Sequence, residues 1–236
     1  MSALVSWPIA RAAAADAALS PATLLIALVL VLLTFVGGGA FGGGGLSGAW
    51  LFLLALRLGG RVLSAELESG HAQLVLLRPL TRAQWVGGQL AGVALVLCAA
   101  AGAAWACAFS LSILHGDPSP LGLRVALLPL TLLPHLGWLA TLVALSGVFA
   151  GWTGAVILVA ARFGWFLLRG VLPAVLPRWD LAPWLAAMDP FVGPQDAFVA
   201  GAVRWDAVAW DILWALLAWL AAVVLFNRRE LARRRP

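Results

Sequence analysis

A series of long apolar segments, with little polar sequence between them, most constrains what this chain can fold into. A bilayer-spanning helix needs about 20 mostly apolar residues. Hydrophobic residues make up 63% of the 236-residue chain and charged residues 11%, against roughly 25% charged residues in soluble proteins. A soluble fold of this size could not bury so much apolar surface in one core. We therefore predict an all-α, polytopic membrane protein with six transmembrane helices, at residues 21–36, 46–58, 85–114, 121–146, 154–176 and 206–226.

The arginines set the expected orientation. All 15 cationic side chains are Arg, and the net charge is +5. Five of them lie in a basic tail at 227–236, which the positive-inside rule places in the cytoplasm. An even number of spans puts both termini on that side, together with Arg11, Arg57, Arg61, Arg78 and Arg82. In a soluble domain this charge would suggest nucleic acid. Here it indicates loops that face anionic lipid, so we expect a lipid membrane partner and no nucleic-acid partner.

Two further segments complete the expected single transmembrane domain, 1–236. Residues 1–20 read as an interfacial helix with Trp7 as its anchor, the alternative being a frayed tail. The connection at 178–205 is rich in Pro and Trp, and we expect short helices there, in a re-entrant or helical loop at the outer mouth.

The connection between the second and third spans carries the most specific pattern. Residues spaced 4, 3, 4 and 3 apart make one stripe on a helix, namely Leu63, Leu67, Gly70, Leu74 and Leu77. Pro79 ends such a helix, and Thr81 can cap the next span. We therefore predict an amphipathic helix over 61–79 along the cytoplasmic surface. The pattern alone fits a membrane-surface connector as well as a docking helix for a soluble partner.

The residues of this segment also resemble a known family signature. Glu-x-Glu-x-Gly at 66–70, then Leu-Leu-Arg-Pro-Leu-Thr-Arg at 76–82 and Gly88-Gln89, are similar to the permeases of ABC exporters of the second membrane type. The matching positions are Glu66, Glu68, Gly70, Leu76, Pro79, Thr81, Arg82 and Gly88. The chain departs from the family pattern at His71 (usually Thr), at Gln89 (usually Lys), and at 151–153, where the inner loop usually carries a basic residue.

The resemblance implies a half-transporter in the bacterial cytoplasmic (inner) membrane. Two permeases, identical or different, pair to form the pathway, and two copies of a separate ABC ATPase subunit bind beneath them. The residues implied in coupling to the ATPase are Glu66, Glu68, Gly70, Leu77, Pro79 and Arg82. The chain would not be an enzyme and would bind no cofactor itself, with ATP and Mg held by the partner. A phosphate-binding loop of the Walker type needs Lys, and this chain has none.

Arg162 and Arg169 are seven residues apart on the fifth span, so they share one helix face. A charge inside the bilayer costs roughly 3 kcal/mol or more. One interpretation is therefore that both line the pathway for an anionic cargo group. The alternatives are a structural pair with an acid such as Asp211, or snorkelling to the interface.

Other functions stay open at this point. One is a specialised ABC permease that serves haem export in cytochrome c maturation, copper-enzyme assembly, gliding or pilus biogenesis. Another is a structural membrane subunit. A third is an intramembrane enzyme built on Ser146 and His135, although eleven residues separate them on one span. The three histidines, His71, His115 and His135, are too scattered to predict a metal site.

Overall fold

The computed structural model describes residues 5–36, 46–70, 80–116, 121–175, 198–199, 202–203 and 205–233. Eight helices and one two-stranded hairpin lie in these ranges. In chain order they are α1 (Trp7–Leu19), α2 (Pro21–Val36), α3 (Leu46–Gly59), α4 (Val62–Glu68), α5 (Arg82–Leu114), α6 (Leu121–Val148), α7 (Thr153–Val175), β1 (Phe198–Val199), β2 (Ala202–Val203) and α8 (Trp205–Arg233).

The helices confirm a helical, multi-pass membrane protein. Five stretches of the described chain are long and apolar enough to cross a bilayer: Gly48–Glu68, Arg82–Leu114, Leu128–Val148, Thr153–Pro173 and Trp205–Phe226. A sixth span results if α1 and α2 count as one broken span, since they pass the same test together. The axes of these two helices differ by 72°, because the chain bends at Ser20.

Helix α6 lies at the centre of the bundle. It contacts α3, α4, α5, α7 and α8, and its longest shared boundary is with α8. Leu139 and Val143 on this helix are completely buried. Pro129 and Pro134 lie inside it. Any displacement of α6 therefore acts on five other helices.

Helix α1 packs closely on the first half of α5. A Cβ atom added at Gly88 would lie 2.9 Å from the Ile9 side chain, and one added at Gly92 would lie 2.5 Å from the Ala10 carbonyl oxygen. Small residues four apart allow two helix backbones to approach in this way. The backbone N–H of Ser6 also donates to the Gln84 carbonyl at 3.3 Å.

One end of the bundle gathers both ends of the described chain. The start of α1 lies beside Gln84, near the start of α5. The ring of Phe226, late in α8, lies 4.8 Å from the ring of Trp85, also near the start of α5. This end also carries α4 and the α6–α7 turn, and we call it the inner end after the orientation expected from the arginines.

One expectation needs correction. Short helices were expected over 178–205, but the described part of 198–203 forms an antiparallel hairpin in which Phe198 pairs with Val203. The rest of 178–205, apart from Trp205, lies outside the described residues. The last apolar stretch ends at Phe226, as expected, and helix α8 continues beyond it to Arg233.

Candidate coupling site at the inner end

Two consecutive glycines bring the end of α3 against the core. A Cβ atom added at Gly59 would lie 2.8 Å from Leu142 Cβ on α6, and one at Gly60 would lie 2.8 Å from the Trp152 ring. Helix α3 therefore ends in direct contact with α6 and with the α6–α7 turn. The chain turns at Arg61 and starts α4 one residue later.

The start of α4 is held by a residue from another helix. Its N-cap residue, Arg61, makes no side-chain cap. Instead the backbone N–H of Leu63 donates to Ser146 Oγ at 3.2 Å, and the Ser146 hydroxyl donates to the Val143 carbonyl at 2.9 Å. Both bonds are buried. Because the first N–H groups of a helix have no partner within the helix, the Ser146 hydroxyl fixes α4 to the end of α6.

Apolar packing strengthens this attachment. Leu63 is completely buried and Leu67 is 8% exposed, both within the main core cluster. A Cβ atom at Gly147 would lie 3.3 Å from Leu63 Cδ1, so the glycine after Ser146 keeps that contact close. The two stripe positions of the described helix thus face the core of the bundle.

Glu68, the last residue of α4, contacts both the start of α4 and the α6–α7 turn. One carboxylate oxygen lies 3.6 Å from Arg61 Nη2, at the start of α4. The other accepts a hydrogen bond from the Gly151 backbone N–H at 3.2 Å, in the α6–α7 turn. Gly151 has φ +58°, a conformation that glycine adopts at little cost. Glu68 therefore contacts the α6–α7 turn through a backbone N–H.

The predicted single helix over 61–79 is wrong at its middle. Helix α4 ends at Glu68, and Gly70 has φ +75°, which a continuing α-helix cannot accommodate. The Ser69 N–H still bonds to the Ala65 carbonyl, so the helix closes with a regular last turn. Leu77 and Pro79, like Leu74 and Leu76, lie outside the described residues.

The remaining predicted coupling residues lie on both sides of that gap. Glu66 is half-buried on α4 and lines a cavity at the inner end. Arg82 is the first residue of α5. The predicted cap of this helix is confirmed: Thr81 Oγ1 accepts from the Gln84 N–H at 3.2 Å, and the Gln84 side chain accepts from the Thr81 N–H at 2.9 Å. This reciprocal pair is a capping box.

Arg57 ties the inner end to the bend between α1 and α2. Its guanidinium donates to Ser20 Oγ at 2.8 Å and lies 5.9 Å from the centre of the Trp152 ring. One side chain on α3 therefore contacts both the N-terminal bend and the α6–α7 turn. Sequence reasoning used Arg57 only as a marker of orientation.

Arg162 lies on the exposed side of α7, about midway along the span. Its guanidinium is 5.0 Å from the Phe52 ring and 4.8 Å from the Trp138 ring. These rings pack edge to face, 5.0 Å apart, so they form a fixed aromatic corner for the cation. Arg169 is also exposed on α7, whereas Asp211 is buried on α8.

The hydrogen bonds of His135 and Ser146 place them in separate parts of the bundle. The two ring nitrogens of His135 face the Thr131 carbonyl at 2.7 Å and the Gly48 carbonyl at 3.2 Å. These contacts join α6 to the start of α3, while the Ser146 hydroxyl holds α4. Among the described residues, no three His, Cys, Asp or Glu side chains group as metal ligands would.

The sequence signal missed two contacts of this site. Ser146 was considered only as a nucleophile, and nothing in its local sequence shows that it caps a helix 83 residues away. The Gly151 contact of Glu68 also joins residues 83 positions apart.

No protein-family model matches the chain, and no curated protein matches it.

Proposed function

We propose that this chain is the membrane permease subunit of an ATP-driven ABC exporter. Two permeases form the translocation pathway, and a separate ATPase subunit binds beneath each of them, holds ATP and Mg, and carries out the hydrolysis. The chain crosses the bacterial inner membrane six times, with both termini in the cytoplasm. The start of α1 and the late part of α8 both lie beside the start of α5, which supports this topology.

The observation that carries the proposal is the attachment of α4. This short helix bears two carboxylates and ends the apolar stretch Gly48–Glu68. It is joined to the central helix by a buried hydrogen bond, and to the α6–α7 turn by Glu68. It lies within the segment whose residues resemble the coupling region of these permeases. A helix attached in this way moves the bundle when a soluble partner moves it.

The mechanism is mechanical. ATP closes the dimer of partner ATPases, and that dimer displaces α4 together with the segment that follows it. The displacement passes from α4 to α6 through Ser146, and from α6 to α3 through the contact of Gly59 with Leu142. Since α6 contacts five other helices, a small shift at the inner end changes access to the pathway between two permeases.

Arg162 supports a pathway beside α7. The helix packs chiefly against α6, and much of its remaining surface is exposed. Exposing a guanidinium to lipid at the bilayer centre costs roughly 3 kcal/mol or more, and charged residues at this depth usually face a bundle interior or a water-filled cavity. We infer that a second permease or a water-filled pathway faces the side of α7 that carries Arg162 and Arg169.

Photo-crosslinking tests the docking surface. A photoreactive amino acid replaces Ser69, which is exposed at the end of α4, and the cells are irradiated before lysis. The expected product joins the chain to an ATPase of about 25–35 kDa, the size of a lone nucleotide-binding subunit of one or two domains. The matched control carries the same amino acid at Ile113, which is 55% exposed near the opposite end of α5.

A product from Ser69 and none from Ile113 supports the proposal. Crosslinks to lipid alone at both positions would reject the docking role of α4. A charge reversal, Glu68→Lys, adds a test of coupling in the complete complex. The rate of thiol labelling of Arg162→Cys should change when ATP is added to the complex with Glu68 in place. In the Glu68→Lys variant this rate should no longer depend on ATP, although the protein still inserts into the membrane.

A further inference from the structure

A cavity of about 860 Å³ lies at the inner end, between α1, the bend after it, the α3–α4 junction and the first turns of α5. This volume is in the range of small-molecule sites. Apolar side chains line part of it, among them Ile9, Leu58 and Val62. The buried Trp85 and Val93 close it on the α5 side.

Two buried polar side chains face this cavity. Thr23 is 3% exposed and Gln89 is 9% exposed, and both line the cavity wall. They offer it a hydroxyl group and a carboxamide group respectively. A ligand that carries oxygen acceptors and donors would form hydrogen bonds with these groups.

Charges of both signs line the same cavity. Arg57 and Arg61 supply two cations, and Asp16 and Glu66 supply two carboxylates. Arg57 is fixed by its bond to Ser20, so one guanidinium is already oriented. A purely anionic ligand would meet the two carboxylates, and a purely cationic one would meet the two guanidiniums. The lining matches a ligand that carries both charges and an apolar body.

We propose that this cavity binds one zwitterionic phospholipid with a primary amine head group, of the phosphatidylethanolamine class. Its phosphate lies at Arg57 and Arg61, its ammonium at Asp16 and Glu66, and its glycerol ester oxygens at Gln89 and Thr23. An acyl chain follows the apolar wall. The site is separate from the surface of α7 that carries Arg162, and its lipid is a bound component of one permease rather than its cargo. The inference does not depend on the ATPase.

Native mass spectrometry of the detergent-purified protein tests the site. Phosphatidylethanolamine, phosphatidylcholine and phosphatidylglycerol are titrated separately, and the lipid-bound fraction gives each Kd. We expect one phosphatidylethanolamine bound per chain, at least about tenfold more tightly than either other lipid, since one charge-assisted contact accounts for about that factor.

Two substitutions separate the contacts. Asp16→Asn removes one of the two carboxylates at the ammonium and should reduce the preference for the primary amine over choline. Arg57→Gln should raise the Kd of all three lipids by about tenfold. The matched control is Arg11→Gln, which removes a cation from the same helix as Asp16; Arg11 contacts the Trp7 ring and does not line the cavity. It should change nothing.

The change in head-group preference distinguishes loss of a specific contact from misfolding, because misfolding would weaken the binding of all three lipids alike. The proposal is overturned if the three lipids bind equally, if none binds, or if Asp16→Asn keeps the full amine preference. It is also overturned if Arg11→Gln acts like Arg57→Gln. None of these results bears on whether an ATPase binds at α4, so failure here is distinct from failure of the proposed function.

Discussion

Removing one hydroxyl should loosen α4 from the bundle. Ser146→Ala deletes the acceptor of the buried Leu63 N–H and leaves that donor without its partner at the start of a helix. A lost helix cap costs about 1 kcal/mol, and an unsatisfied buried donor about 1–3 kcal/mol. Apolar packing of Leu63 and Leu67 remains. We therefore expect α4 docking to weaken by about 1–2 kcal/mol, which raises the population of the undocked helix roughly 5- to 30-fold.

Amide hydrogen exchange measures this directly. Peptides that cover 62–68 should exchange 5- to 30-fold faster in Ser146→Ala. This holds where the exchange rate is proportional to the fraction of molecules with α4 undocked. Peptides from the first half of α5 should keep their rates. Ser110→Ala is the matched control, because that exposed hydroxyl bonds only to the Ala106 carbonyl of its own helix. Unchanged exchange of α4 in Ser146→Ala would refute the view that this hydroxyl fixes it.

Three further predictions concern other contacts. Gly92→Ala places a Cβ atom 2.5 Å from the Ala10 carbonyl oxygen and should lower the free energy of unfolding by about 1–3 kcal/mol in denaturant titrations. The control is Gly102→Ala on the same helix, where nothing lies within 4 Å of the added Cβ atom. It should be neutral or raise the free energy of unfolding by about 0.5–1 kcal/mol. Equal effects would contradict the close approach. Thr81→Ala removes the capping box and should cost about 1 kcal/mol, seen as faster exchange in the first turn of α5 only. In a background with Cys98 and Cys107 replaced by Ala, Arg162→Cys should react with a water-soluble thiol reagent. Ile157→Cys, on another face of α7, should not react. If Ile157→Cys reacts and Arg162→Cys does not, the Arg162 face lies in lipid.

The apolar runs predicted most of the helix bounds. The spans expected at 21–36 and 46–58 end within one residue of α2 and α3, and those at 85–114, 121–146 and 154–176 lie within three residues of α5, α6 and α7. The reason is that burial in lipid or protein requires an uninterrupted apolar helix. Thr81 was also predictable, because its partner Gln84 is only three residues away.

The contacts of the candidate site were less predictable. The attachment of α4 depends on Ser146 and Gly151, which lie 83 residues away from their partners Leu63 and Glu68, and a single sequence gives no pairing information over that distance. The stripe from Leu63 to Leu77 suggested a continuous helix, since periodicity does not register that Gly70 takes a left-handed conformation. Gly70 has open space around its Cβ position, so its conformation rather than crowding ends the helix.

The most direct test of the central claim is purification of the tagged protein in mild detergent, with quantitative mass spectrometry of what accompanies it. The account predicts an ABC ATPase of about 25–35 kDa in a one-to-one ratio with the chain, a mass expected for one or two domains. A preparation that contains the intact permease and no ATPase, after extraction mild enough to keep known membrane complexes together, would contradict it. The protein would then be a structural or catalytic membrane subunit in which α4 serves only to join two spans.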